Sequence, residues 1–169
     1  MRVTGKSIFA AAVPALLAGT LVATGNPAAA ADVPPESFTK SVQSYLDNTN
    51  LDAHEGADIW ARDAGYADQV WTFDRVATQP DGLGVYTIKN TRFGTCITAA
   101  AVHSAAKLAK CDKGNLAQRW IVDLTQSQTE IINKKFEDTV LQANGTDKAV
   151  TVEEQGEGPN NQLWTLYDK

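Results

Sequence analysis

Any chemistry in this chain has to come from a small set of side chains. The sequence holds two histidines, His54 and His103, and two cysteines, Cys96 and Cys111. Neither histidine sits in a nucleophile or zinc-protease motif, since no G-x-S-x-G and no H-E-x-x-H occurs. Two cysteines without a nearby histidine pair make no zinc site, and their spacing is not C-x-x-C. Glu153-Glu154 is an adjacent acidic pair, but strand alternation sends the two to opposite faces, a poor geometry for paired-carboxylate catalysis. Asn144-Gly145-Thr146 is a glycosylation sequon whose Asn-Gly reads better as a hairpin turn. No phosphate loop or metal cluster is present in the sequence pattern. The expectation is a protein that is not an enzyme, with no cofactor and no metal. That leaves binding.

The elements that would position a binding site begin after the N-terminal segment. Residues 1–31 read as a secretory signal peptide: Arg2 and Lys6 lead an apolar stretch from Ile8 to Ala23, and Ala28-Ala29-Ala30-Ala31 closes it. Pro14 and Gly19 break the apolar stretch, which ends too early for a membrane span. Cleavage near Ala30 or Ala31 leaves 139 or 138 residues, one domain with a proper core. It also leaves 13 Lys+Arg against 20 Asp+Glu, a net charge of −7. Such acidity, with no basic cluster, argues against nucleic acid and anionic lipid as partners. The mature chain is expected to be secreted, extracellular and not inserted in a membrane. In that oxidising setting Cys96 and Cys111 are expected to pair, closing a loop of about 15 residues and adding roughly 3 kcal/mol in the chain-entropy model.

The chain repeats itself. Gln69-Val70-Trp71, Gln118-Arg119-Trp120 and Gln162-Leu163-Trp164 share one form, with tryptophans 49 and 44 residues apart. Upstream lie Tyr45-Leu46-Asp47, Cys96-Ile97-Thr98 and Val140-Leu141-Gln142, whose first residues precede the tryptophans by 26, 24 and 24 residues. Short β-branched or aromatic runs, such as Val85-Tyr86-Thr87-Ile88 and Ala149-Val150-Thr151-Val152, alternate with turn residues such as Pro80-Asp81-Gly82 and Asn144-Gly145. The alanine-rich stretch 99–110 is the best helical candidate, but a repeat strand falls there. An opening strand is expected near Phe38, after a short extended arm at Pro34-Pro35.

At these residues the sequence resembles the ricin B-chain type lectin family, whose fold is an all-β, three-repeat β-trefoil marked by Q-x-W. The resemblance covers about residues 37–169. It implies a domain at 32–169 with repeats near 37–78, 83–125 and 128–169. One such tripeptide carries little weight, but three in register are specific. The recurring residues Trp71, Trp120, Trp164, Leu46, Ile97 and Leu141 are read as core, because a three-fold core demands one apolar residue per repeat at fixed phase. The glutamines Gln69, Gln118 and Gln162 are read as hydrogen-bonding backbone in the closing turns. Cys96 and Cys111 also fall at positions that fit the family, as a staple and not a site.

In that family each repeat builds a sugar pocket from an acidic residue, a polar residue two before an aromatic, that aromatic, and an asparagine preceding Q-x-W. The resemblance places Asp47, Asp58, Trp60 and Asp68 at these positions in the first repeat. A carboxylate accepts from vicinal hydroxyls and an aromatic face covers the apolar C–H patch of a pyranose. His54 lies between Asp47 and Trp60 in sequence and would border this pocket with a pH-sensitive contact. The second repeat offers Thr98, Ala109 and Ala117, which hold no sugar. In the third, Gln142 and Asn161 remain, with Val152 for the aromatic, and make at most a weaker site. Three carboxylates around one ring would repel one another and favour a cationic ligand, so an amino sugar joins neutral glycans as an expected partner. The resemblance implies a secreted carbohydrate-binding module with one well-formed site. Its competitors are a targeting subunit of a secreted toxin or enzyme complex, with a secreted protein partner, and a degenerate trefoil acting as interaction scaffold or protease inhibitor.

Overall fold

The computed structural model describes residues 33–156 and 160–169; the segment read as a signal peptide lies outside the described residues, apart from a unit beginning at Ala31 that holds the folded domain. The alternation of apolar and polar residues becomes fourteen strands. They are β1 (Ser37–Ser44), β2 (Asn50–Asp52), β3 (Trp60–Arg62), β4 (Trp71–Thr78), β5 (Gly84–Asn90), β6 (Thr95–Thr98) and β7 (Ser104–Ala105). Then follow β8 (Lys107–Lys110), β9 (Trp120–Val122), β10 (Ile131–Asn133), β11 (Thr139–Gln142), β12 (Lys148–Ala149), β13 (Thr151–Glu154) and β14 (Trp164–Tyr167). Single 3-10 turns at His54–Gly56 and Leu116–Gln118 are the helical pieces among the described residues. The stretch 99–110 is strand and turn, as its place in the repeat requires.

Six strands close a barrel. β14 pairs β1, β1 pairs β4, β4 pairs β5, β5 pairs β9 and β9 pairs β10, all antiparallel. The ring shuts where Thr129, two residues before β10, exchanges both backbone hydrogen bonds with Trp164, each 2.9 Å. Three hairpins sit on this barrel: β2–β3, β6–β8 and β11–β13. They are tied to one another in turn. Leu108 N–H donates to Ala57 O at 2.9 Å, Ala106 N–H to Val150 O at 2.9 Å, and Val150 N–H to Ile59 O at 2.8 Å. Ile59, Ala106 and Val150 are all fully buried where the hairpins meet. The result is the β-trefoil.

The core follows the repeat. Trp71, Trp120 and Trp164 are completely buried, as read from the sequence. Each indole N–H donates to a backbone carbonyl of its own repeat: Leu51 O at 2.9 Å, Ile97 O at 3.2 Å and Leu141 O at 3.0 Å. Each Q-x-W glutamine donates to a backbone carbonyl in the turn ahead of it, Gln69 to Asp63 at 2.7 Å, Gln118 to Lys110 at 3.0 Å and Gln162 to Glu154 at 2.8 Å. Around the first repeat Phe38 stacks on Phe73 at 4.7 Å and meets Tyr86 edge-on at 5.4 Å. Gly84 is required beside Tyr86, since a Cβ there would fall 2.4 Å from the ring. Cys96 and Cys111 are bonded to each other, tying β6 to the residue after β8.

Leu46 departs from expectation. It is 46% exposed on the turn after β1, and the residue that fills its place in the core is Leu51. Truncating a buried tryptophan removes both its area and its fit, so Trp120→Ala should destabilise the fold by roughly 3–5 kcal/mol in urea denaturation. A variant with the parental midpoint would overturn the three-fold phasing.

Candidate functional site

Backbone hydrogen bonds fix which residues are equivalent. Ala53 N–H donates to Asp68 O at 3.1 Å, Ala99 to Ala117 O at 2.9 Å and Ala143 to Asn161 O at 2.8 Å. Together with the indole bonds, this aligns Leu51-Asp52-Ala53 with Ile97-Thr98-Ala99 and Leu141-Gln142-Ala143. The acidic position of the first repeat is therefore held by Asp52, and Asp47 lies five residues too early. Asp47 instead shapes the β1–β2 turn, where its Oδ1 accepts from the Thr49 hydroxyl at 2.6 Å and the Thr49 N–H at 3.2 Å. Tyr45 likewise aligns with Thr91 and Lys134, whose N–H groups make the same inter-strand bond, and not with Cys96. Asp68 keeps its predicted place ahead of Gln69.

Cross-strand register then places the aromatic. Trp60 faces Asp52 across the β2–β3 ladder, as Lys107 faces Thr98 and Thr151 faces Gln142. The counterparts of Trp60 are thus Lys107 and Thr151, where the sequence reading used Ala109 and Val152. Asp58, Trp60 and Arg62 share the outer face of the hairpin, because Ile59 and Ala61 between them are fully buried. Trp60 is half-buried, and His54 stacks on it with ring centroids 4.3 Å apart. The expected proximity of His54 holds. Asp58 is not an uncompensated charge beside the ring. Its Oδ1 accepts from Lys107 Nζ of the second repeat at 2.6 Å, in a partly exposed pair. Such pairs contribute between zero and about 1 kcal/mol.

Behind this face lies a buried acid. Asp52 is completely inaccessible, and neither of its oxygens receives a hydrogen bond of good geometry; the same holds for Asp68 Oδ1. In the other repeats the glutamine amide reaches this position, Gln118 to the Thr98 hydroxyl at 2.9 Å and Gln162 to Gln142 Oε1 at 3.0 Å. Burial pushes the Asp52 pKa up, and the neighbouring Asp68 carboxylate adds to the rise; the charge of Arg62 and the Gln69 amide oppose it. Arg62 is the cation at hand. Its Nη1 lies 3.8 Å from Asp52 Oδ1, its Nε 3.2 Å from Asp147 Oδ1 of the third repeat, and its guanidinium carbon 4.1 Å from the centre of the Tyr66 ring. The structure thus brings together Asp52, Asp68, Arg62 and Trp60. Asp47 and Asp58 are turned to other bonds. Arg62 and Asp52 escaped the sequence reading, although the alanine shared by Ala53, Ala99 and Ala143 marks the true phase.

The third-repeat position is more fully spent. Gln142 donates to Asn144 Oδ1 at 3.1 Å while accepting from Gln162, and Asn161 Oδ1 is buried without a partner. Asn144 is itself tied inward, donating to Ala149 O at 2.9 Å and the Thr151 hydroxyl at 3.0 Å. His103 sits in another hairpin, paired with Glu153 at 2.6 Å.

A family model described as the ricin-type beta-trefoil lectin domain matches residues 39–164. No curated protein matches the sequence. Among solved structures, one similar fold belongs to a GlcNAcα1-4Gal-releasing endo-β-galactosidase from Clostridium perfringens, at TM-score 0.64 and 12% identity over 78% of this chain. This chain spans 32% of that protein, and 16% of a mosquitocidal holotoxin listed beside it. A ricin B-like lectin from Macrolepiota procera in complex with lactose matches at TM-score 0.59 and 16% identity, covering 78% of this chain and 96% of that one. At these identities the likeness is one of fold.

Asp52 makes stability depend on pH in a defined direction. A carboxyl whose folded pKa is raised binds more protons in the native state than in the unfolded chain between the two values. Its contribution is complete below the unfolded value of about 3.9 and is lost as pH rises through the folded one. Asp52→Asn should therefore gain stability over the parent near neutral pH, with the gain shrinking toward pH 4, in thermal melts at matched ionic strength. A variant less stable at neutral pH would show that Arg62 outweighs the burial cost.

Proposed function

The chain belongs to the ricin-type β-trefoil lectin domain family, and from that premise we propose that it is an exported glycan-binding module working through the outer face of its first hairpin. The observation that carries this reading is Trp60, a half-buried aromatic outside the repeated core, with His54 stacked on it and the Asp58–Lys107 pair beside it. Lys107 and Thr151 stand in its place in the other hairpins, so an aromatic platform for a pyranose is built once. Asp58 and Lys107 supply an acceptor and a donor at its edge, while Asp52 and Asp68 lie beneath. Those two acids favour an amino sugar over its neutral parent. Gln142 and Asn161 form at most a weaker site, because Gln142 already bonds within its own repeat. Export is supported by the N-terminal signal pattern and by the Cys96–Cys111 disulfide. The module is read as non-catalytic.

A second reading is that the domain targets a larger secreted toxin or enzyme assembly. It is supported by the endo-β-galactosidase and the Haemophilus ducreyi cytolethal distending toxin, the latter matched at TM-score 0.60 and 15% identity over 84% of this chain and 89% of that one. Both uses need the same glycan contact.

Calorimetry with galactose, glucosamine and short glycans tests it. Trp60→Ala should weaken binding several-fold without lowering the melting temperature as a core change does, since aromatic contacts contribute on the order of 1 kcal/mol beyond area. Asp47→Ala should loosen its turn yet leave affinity unchanged. Affinity lost on Asp47→Ala and kept on Trp60→Ala would return the site to the β1–β2 turn, and silence across a broad glycan array would overturn the lectin reading.

A further inference from the structure

Arg62 occupies an unusual position. Its side chain is 22% exposed, lies flat against Tyr66 on one side and points its Nη1 at a carboxylate with no accessible surface on the other. The Nη1–Asp52 separation of 3.8 Å is too long for a hydrogen bond. The pairing is thus electrostatic, and both Asp52 oxygens and Asp68 Oδ1 keep unused acceptor capacity. A buried carboxylate pair without donors is costly, and it persists in folded proteins where something cationic or protic completes it. The shape is that of a recognition site for a planar cation: an aromatic wall at Tyr66, two acids at the floor, and Asp147 at the rim, where it accepts from Arg62 Nε at 3.2 Å. The corresponding hairpins lack this set. Ala109 and Glu153 stand opposite Cys96 and Val140 where Arg62 stands opposite Asn50, and the buried positions hold Thr98 and Gln142.

We propose that the Asp52–Asp68 pocket is a guanidinium- and ammonium-binding site that Arg62 fills as a built-in ligand, and that a cationic ligand enters when Arg62 withdraws. The cluster alone would not carry this. The fully buried, unpartnered Asp52 beneath the guanidinium is the independent observation. Arg62 stands at the surface end of the pocket, anchored to the third repeat through Asp147, so it can leave without disturbing Trp71 or Leu51 below. The pocket goes beyond the glycan reading and rests on it only for the identity of a natural occupant, an amino-bearing sugar. A blank glycan array would leave the cation site standing.

The test is chemical rescue. Arg62→Ala should lower the melting temperature, and millimolar N-ethylguanidinium chloride should restore most of the loss with a saturable dose response. N-ethylurea, its uncharged isostere, and sodium chloride at equal ionic strength should not. The parent protein, with its pocket filled, should show no such rise. In Arg62→Ala combined with Asp52→Asn the rescue should disappear. Equal effects of N-ethylguanidinium and N-ethylurea, or a parental melting temperature for Arg62→Ala, would overturn the proposal. Should Arg62→Ala not fold, nitrogen-15 NMR of the unaltered protein decides. A filled pocket gives a distinct Arg62 side-chain resonance, protected from exchange and averaged to the solvent value in Asp52→Asn; a solvent-like Arg62 signal in the parent would refute it.

Discussion

The structure depends on one hydrogen bond made three times. Each Q-x-W tryptophan is wholly buried and carries an N–H that must find an acceptor, because an unpaired donor in the core costs about 1–3 kcal/mol. It finds the carbonyl of Leu51, Ile97 or Leu141. That bond pins the first strand of each hairpin to the barrel strand that closes the repeat. Everything outward of it follows, including which residue of the hairpin faces the solvent and which faces the core. The glutamine two residues earlier repeats the logic one layer out, holding the carbonyl at the far end of the hairpin.

This explains why the fold was legible in the sequence and the site was less so. Trp71, Trp120 and Trp164 are rare residues at a steady interval, and only a three-fold core asks for that. The hairpin of the first repeat is harder to phase. Leu51 precedes its tryptophan by 20 residues where Ile97 and Leu141 precede theirs by 23. Matching the interval therefore pulls the alignment back onto Tyr45-Leu46-Asp47, which has the right residue types in a turn. The error carried from Leu46 to Asp47 and changed the acid. It did not touch Trp60 or Asp68, which keep their relation to the strand β3 and to Gln69.

The charges had a second lesson. Sequence shows Asp58 and Asp68 near one aromatic and suggests crowding of like charge, but it cannot show partners that come from other repeats. Lys107 neutralises Asp58 from the second repeat and Asp147 grips Arg62 from the third. The unrelieved charge sits one layer down, at Asp52, where burial is the leading cause. The working face of the first hairpin is thus assembled from all three repeats, although its aromatic belongs to one.

The pairing of β1 with β14 carries a consequence for how the molecule comes into being. Val42 lies opposite Leu166 and Ser44 opposite Trp164, so the first strand finds a neighbour in the last. Non-local pairings of this kind make folding wait on loop closure across most of the chain. A polypeptide delivered from its N-terminus cannot shut its barrel until residues 164–167 have emerged. Until then it remains a threadable string, the condition that passage through a narrow translocation channel demands.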